Sequence, residues 1–190
     1  MLHPLPAEGY SQRGLLLDEI ASKEHELHSD EIMNQLRSRI VDSLRQKGVE
    51  GESQDGMDMA LYIIDLDKQT LEFSGANLPL FILRKQELLI VAGDKMPIGI
   101  SSKLKTPFTR QELKLEKGDI LYTFSDGYPD QFGGPRNKKF MIKRFRELLV
   151  EIHSKPMRQQ KNILQKRLED WMHESDCEQV DDITVFGVKI

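Results

Sequence analysis

Apolar residues along the chain repeat at helical spacing, then at strand spacing, then at helical spacing again. Met33, Leu36, Ile40 and Leu44 stand at i, i+3, i+7 and i+11, which predicts an amphipathic helix. Ser29 reads as its N-cap, Asp30 and Glu31 suit a first turn that favours carboxylates, and Gly48 marks its end. Leu15, Leu16, Leu17 and Ile20 predict a shorter helix upstream. Residues 1–14 show no period and read as a remnant or lead-in, and Val49 to Gly56 is a polar, acidic loop.

From Met57 the period changes. Met59 to Ile64 is nearly continuous apolar sequence, as in a strand covered on both faces. Leu71-Glu72-Phe73 alternates, and Ser74 to Pro79 breaks the pattern. Leu80 to Leu83 and Leu88 to Val91 flank Arg84-Lys85-Gln86-Glu87, which predicts a hairpin. Gly93 to Gly99 is a loop, and a strand is expected around Phe108 to Leu115. Ile120 to Phe124, opened by the turn Lys117-Gly118-Asp119, has the composition of a buried strand. Met141, Phe145, Leu148, Leu149 and Ile152 mark the next helix. Ser154-Lys155-Pro156 opens another, with Leu164, Leu168, Trp171 and Met172 as its apolar, core-facing side. A closing strand runs from Ile183 to Ile190. Helices, a block of strands, helices and a last strand imply an α+β layered fold with mostly antiparallel sheet.

Composition narrows the field. A length of 190 residues fits a single domain, 1–190, with a substantial core. A net charge of −4 and a pI near 5.8 argue against a nucleic-acid partner. The single cysteine, Cys177, excludes an internal disulfide, fits a reducing compartment and has no neighbour in sequence that would make it a nucleophile. No apolar stretch approaches the roughly 20 residues of a membrane helix. The N-terminus does not resemble a signal peptide, so the expected location is cytoplasmic.

The chemistry gathers at two strand ends. Hydrophobicity stops after Phe124 at Ser125-Asp126-Gly127, where a carboxylate emerges from the core and glycine permits close backbone approach. Asp181-Asp182 immediately precedes the last strand. Were the two strands antiparallel neighbours, Asp126 and Asp181 would emerge at one sheet edge, as a hard divalent cation requires. The plainer alternatives are an ordinary turn at Asp126-Gly127 and a solvated strand entry at Asp181-Asp182. Gly133 to Lys139 reads as a basic flap meeting a phosphoprotein or as a mobile surface loop. His3, His25, His28, His153 and His173 show no ligand spacing, and no Gly-rich phosphate loop with a following lysine is present.

Phe73-Ser-Gly-Ala-Asn-Leu-Pro79, Met96-Pro-Ile-Gly99, Thr123-Phe-Ser-Asp-Gly-Tyr128 and Asp181-Asp-Ile-Thr184 resemble, in order, motifs of the SpoIIE-like branch of the PPM-type metal-dependent serine/threonine protein phosphatases. The resemblance spans roughly residues 15–190. It implies a layered α-β-β-α sandwich of two antiparallel sheets flanked by helices, with a two-metal magnesium or manganese site at one edge. It further implies that Asp126 and Asp181 are metal ligands, with Gly127 beside the first. Asp182 occupies a position where relatives carry Asp or Asn, and Asp130 one that helps to hold an additional metal. Asp55 or Asp58 would be a further acidic ligand. The family's first metal motif, an aspartate shortly before Gly-His-Gly, has no counterpart here: the corresponding place reads Met1-Leu-His-Pro-Leu-Pro6. Two readings of this departure stand, an N-terminally incomplete fragment and a degenerate relative.

The implied activity is hydrolysis of a phosphoserine or phosphothreonine protein by a metal-held water, in a bacterial signalling protein whose sensory or regulatory region precedes the domain. The alternative is a pseudophosphatase that binds a partner.

Overall fold

The computed structural model describes residues 28–43, 56–101 and 105–190. The upstream helix expected around Leu15 to Ile20, Leu44, Gly48 and Asp55 therefore lie outside the described residues. The chain forms two compact units: one holds the N-terminal part through Asn77 together with Gly93–Leu113, and the other holds Leu78–Ala92 and Lys114–Ile190. Both are mixed α and β with antiparallel sheet.

In the first unit, helix α1 (Ser29–Ser43) buries Met33, Leu36 and Ile40 completely, as its period requires. These side chains pack on Ala76, Met96, Ile98 and Phe108. The sheet order is β1 (Met59–Asp65), β2 (Thr70–Ala76), β5 (Gln111–Lys114). Strands β1 and β2 pair antiparallel with Leu61 opposite Ser74.

Three expectations need correction in this unit. Ser29 is not a cap: its buried hydroxyl bonds Ser74 Oγ at 2.9 Å, and Ser74 Oγ donates to Thr109 O at 2.9 Å. The capping contact instead comes from Glu31, whose Oε2 accepts the backbone N–H of His28 at 2.9 Å, the reach-back half of a capping box. Among the described residues, strand β1 is not covered on both faces: Ile63 is exposed and no residue of the strand is fully buried. Nor does Ser74 break the pattern, since β2 runs on to Ala76. A polar pair buried across helix and strand looks like a break only in one dimension.

In the second unit the sheet order is β4 (Glu87–Val91), β3 (Leu80–Arg84), β6 (Ile120–Phe124), β9 (Val185–Lys189), all antiparallel. Here β3 is the strand buried on both faces. Helices α3 (Ile142–Ile152) and α4 (Met157–His173) contribute Phe145, Leu148, Leu149, Ile152, Leu164 and Leu168 to a core shared with Phe81, Leu83, Tyr122 and Phe124. Phe81, Phe124 and Phe145 stack edge to face, with centroids 4.8 and 4.7 Å apart. Met141 does not join this face: it stands before α3 at φ 76° and is exposed.

The hairpin turn between β3 and β4 places Lys85 at φ 47° and Gln86 at φ 74°. Both central residues are left-handed, a geometry that favours Asn-Gly. Gln86→Gly is expected to stabilise the protein by about 0.5–1 kcal/mol, because relief of left-handed strain outweighs the added freedom of the unfolded chain. Chemical denaturation measures it, and a lower midpoint would contradict the strain argument.

Candidate metal centre

Strand β6 ends at Phe124 opposite Val185 of β9, so the antiparallel ladder delivers both acidic segments to the same end of the sheet. Ser125 ties them together. Its N–H donates to Thr184 O at 3.0 Å, its Oγ donates to Asp182 O at 2.8 Å, and Oγ accepts from Thr184 N at 2.9 Å. Asp126 is the next residue and leads into the short helix α2 (Gly127–Asp130). Its carboxylate makes no capping hydrogen bond there. Gly127 lies so close to the other segment that an added Cβ would stand 2.5 Å from Asp182 O and 3.0 Å from Ile183 Cγ1.

Asp181 is held from behind. Its Oδ1 accepts the Asp182 N–H at 2.7 Å, and its carbonyl accepts from Gln179 Nε2 at 2.7 Å. The loop before it is gripped by Gln131, a fully buried amide whose Nε2 donates to Glu178 O at 2.9 Å and whose Oε1 accepts from Val180 N at 3.4 Å. Sequence reading passed over Gln131. An uncharged side chain directly after a helical turn carries no signal of its partner 47 residues away.

The remaining expected site residues have other occupations. Asp130 is exposed and pairs with Lys139 Nζ at 2.7 Å. Asp182 contributes its backbone carbonyl to the Ser125 contact. Asp58, in the first unit, accepts from Asn77 Nδ2 at 2.7 Å. Gly133 to Lys139 forms a short hairpin of β7 (Phe132–Gly133) and β8 (Lys138–Lys139), anchored by Gly134 N to Trp171 O at 2.7 Å. Cys177 lies 3.2 Å from Asn137 Oδ1.

Asp126 and Asp181 are the oxygen donors a hard cation takes. Among the described residues, however, no group of three or more His, Cys, Asp or Glu is arranged to hold a metal ion. With Asp130 engaged by Lys139 and one oxygen of Asp181 by a backbone N–H, these residues alone do not fit a two-metal centre. Among the described residues, no helix is long and apolar enough to cross a membrane.

The sequence matches the family described as stage II sporulation protein E (SpoIIE) over residues 12–190. No curated protein matches it. The fold is similar to that of the SiaA-PP2C domain of Pseudomonas aeruginosa, at 21% identity and TM-score 0.80, covering 94% of this chain and 67% of that one. It is also similar to the manganese-soaked phosphatase domain of the cell fate determinant SpoIIE from Bacillus subtilis, at 21% identity and TM-score 0.57, covering 98% and 75%. A third likeness is to a Bacillus subtilis structure joining the SpoIIE PP2C phosphatase domain to a fragment of its regulatory domain, at 20% identity and TM-score 0.68; the match covers 94% of this chain and about half of that one (48%). At these identities the structures speak for the fold, and the family match supplies the rest. A PP2C-type arrangement of antiparallel sheets and helices, matched by family over nearly the whole length, makes this chain a member of the SpoIIE family.

Proposed function

We propose that the chain is a serine/threonine protein phosphatase domain of a bacterial signalling protein, in which Asp126 and Asp181 hold magnesium or manganese. What supports this reading is the Ser125 stitch, which joins the two carboxylate-bearing segments at the end of paired strands in a chain of this family. A metal bound there would neutralise phosphate oxygens and lower the pKa of a bound water. The protein's own part is positional. Ser125 and Gly127 keep the segments in contact, and Gln131 sets the loop that carries Asp181. The signalling setting draws on the similar Bacillus subtilis protein, a cell fate determinant with a regulatory domain beside its phosphatase domain.

A second reading, a pseudophosphatase that binds a partner, is favoured by one observation: the described residues supply two carboxylates where a two-metal site needs more. Asp126 and Asp181 alone hold a hydrated cation weakly, on the order of millimolar. The expected result is therefore weak manganese binding by calorimetry and little turnover of a phosphopeptide. Robust turnover abolished by Asp126→Asn would establish the enzyme and show that another group completes the site. Turnover indifferent to Asp126→Asn would remove Asp126 from the chemistry.

A further inference from the structure

Helix α4 and strand β9 leave a groove of about 660 Å³ between them in the second unit. That volume falls in the range of roughly 300–1,000 Å³ typical of ligand sites. Its floor is apolar, built from Tyr122, Leu164 and Val185, and its rim on α4 carries Arg158 and Lys161. The rim is electrostatically unbalanced. Arg158 and Lys161 stand three residues apart on the same face of the helix. The first turn of α4 contains no acidic residue, although a helix N-terminus favours one. Farther along the same helix, Lys166 pairs with Asp170 and Arg167 with Glu151. Arg158 and Lys161 have no carboxylate within ion-pair distance among the described residues. The sheet is open here as well: β9 has β6 on one side and, among the described residues, no strand on the other. Phe186 of β9 lines the groove and is 53% exposed.

We infer that the groove between α4 and β9 is a docking site for an acidic peptide segment of a partner protein, anchored by large apolar side chains. Apolar anchors cover the Tyr122, Leu164 and Val185 floor and the exposed Phe186 ring. Carboxylates of the segment meet Arg158 and Lys161, whose cations are already held beside the positive end of a helix. Main-chain groups of an extended segment find the free edge of β9, the mode of recognition by strand addition. A basic segment would be repelled at the rim, and a purely polar acidic one would leave the floor wet. The groove also reaches Gln179 and Ile183, the residues flanking Asp181-Asp182. A segment docked along it ends beside the candidate metal centre. The docking itself does not depend on metal or on turnover.

The test is fluorescence anisotropy on the full chain with a labelled peptide of alternating Leu and Glu. The expected result is saturable binding that weakens as salt rises. Loss of at least about tenfold in affinity is expected in Arg158→Glu/Lys161→Glu, whose exposed positions leave the circular dichroism spectrum unchanged. A Leu-Lys peptide and an Ala-Glu peptide should bind at least about tenfold more weakly, and Asp126→Asn should bind like the wild type. Equal affinity for the Leu-Lys peptide, or indifference to the double charge reversal, would overturn the proposal. So would displacement of the peptide by a DNA duplex, or self-association that the double reversal abolishes, because each assigns the groove a different occupant.

Discussion

Replacing Asp119 with alanine is expected to destabilise the protein by about 1.5–3 kcal/mol, because it removes a buried, charge-assisted acceptor and leaves Arg84 with the half-exposed Glu116 carboxylate at 3.2 Å and the Lys114 carbonyl at 2.7 Å. Asp119 is only 1% exposed. Its Oδ1 accepts from Arg84 Nε at 2.9 Å, and its Oδ2 accepts from an Arg84 terminal nitrogen at 2.7 Å and from Glu116 N at 2.8 Å. Burial alone would raise the carboxyl pKa. The Arg84 hydrogen bonds, the Glu116 amide and the charges of Arg84 and Lys85 outweigh it, and hold the pKa below its ordinary 3.8. The sign follows from that direction. The folded state binds the proton less readily than the unfolded one, so the pair's contribution is complete above the ordinary value and is lost as pH falls through the folded value. Urea unfolding at a series of pH values should show this acid loss in the wild type and a shallower one in Asp119→Asn. The paired replacement Arg84→Met/Asp119→Leu should recover much of the stability, since the cation that lost its buried acceptor is then removed as well. A single Asp119→Ala variant as stable as the wild type would remove the argument.

Gly127→Ala should open the candidate centre. Gly127 is helical, so alanine would by propensity alone stabilise α2 by up to about 1 kcal/mol. The Cβ position decides otherwise: it falls 2.5 Å from a backbone oxygen, Asp182 O, which has no rotamer by which to retreat. Either α2 or the Asp182 segment must move, at a net cost of about 1–3 kcal/mol. The movement breaks the contacts that Ser125 makes with Asp182 and Thr184. Amide chemical shifts of Ser125 and Thr184 should change, and any manganese binding should weaken further. If Gly127→Ala melts at or above the wild-type temperature with those amides unmoved, the close approach has no energetic consequence.

The hydrophobic period determined much of this protein without help from the fold. The α1 face through Met33, Leu36 and Ile40, the hairpin around Arg84 to Glu87, the β6 strand and the α3 and α4 faces all follow from local spacing. Local spacing suffices there because an apolar stripe has one way to be buried. The motifs around Asp126 and Asp181 likewise carried the family, since both sit where a strand's apolar run begins or ends. Other features depended on residues far apart in the chain. Arg37, next to Leu36, is buried with its guanidinium 4.8 Å from the ring centroid of Phe108, a partner that the period of α1 does not reveal. Ser29 reads as a cap until Ser74 is brought to it. Asp119 reads as a turn residue until β3 supplies Arg84 across the sheet.

The candidate centre divides in the same way. Which residues carry carboxylates at strand ends is a local property, and periodicity exposes it. That Ser125 bonds Thr184 and Asp182, that Gly127 has no room for a methyl group, and that Gln131 grips the loop before Asp181 are decided by antiparallel pairing of strands some 60 residues apart in sequence. A neutral amide or hydroxyl acquires its role only from the partner that tertiary structure delivers. The engagement of Asp130 by Lys139 is of this kind too, because a surface carboxylate reads alike in sequence whether it awaits a metal or already holds a lysine.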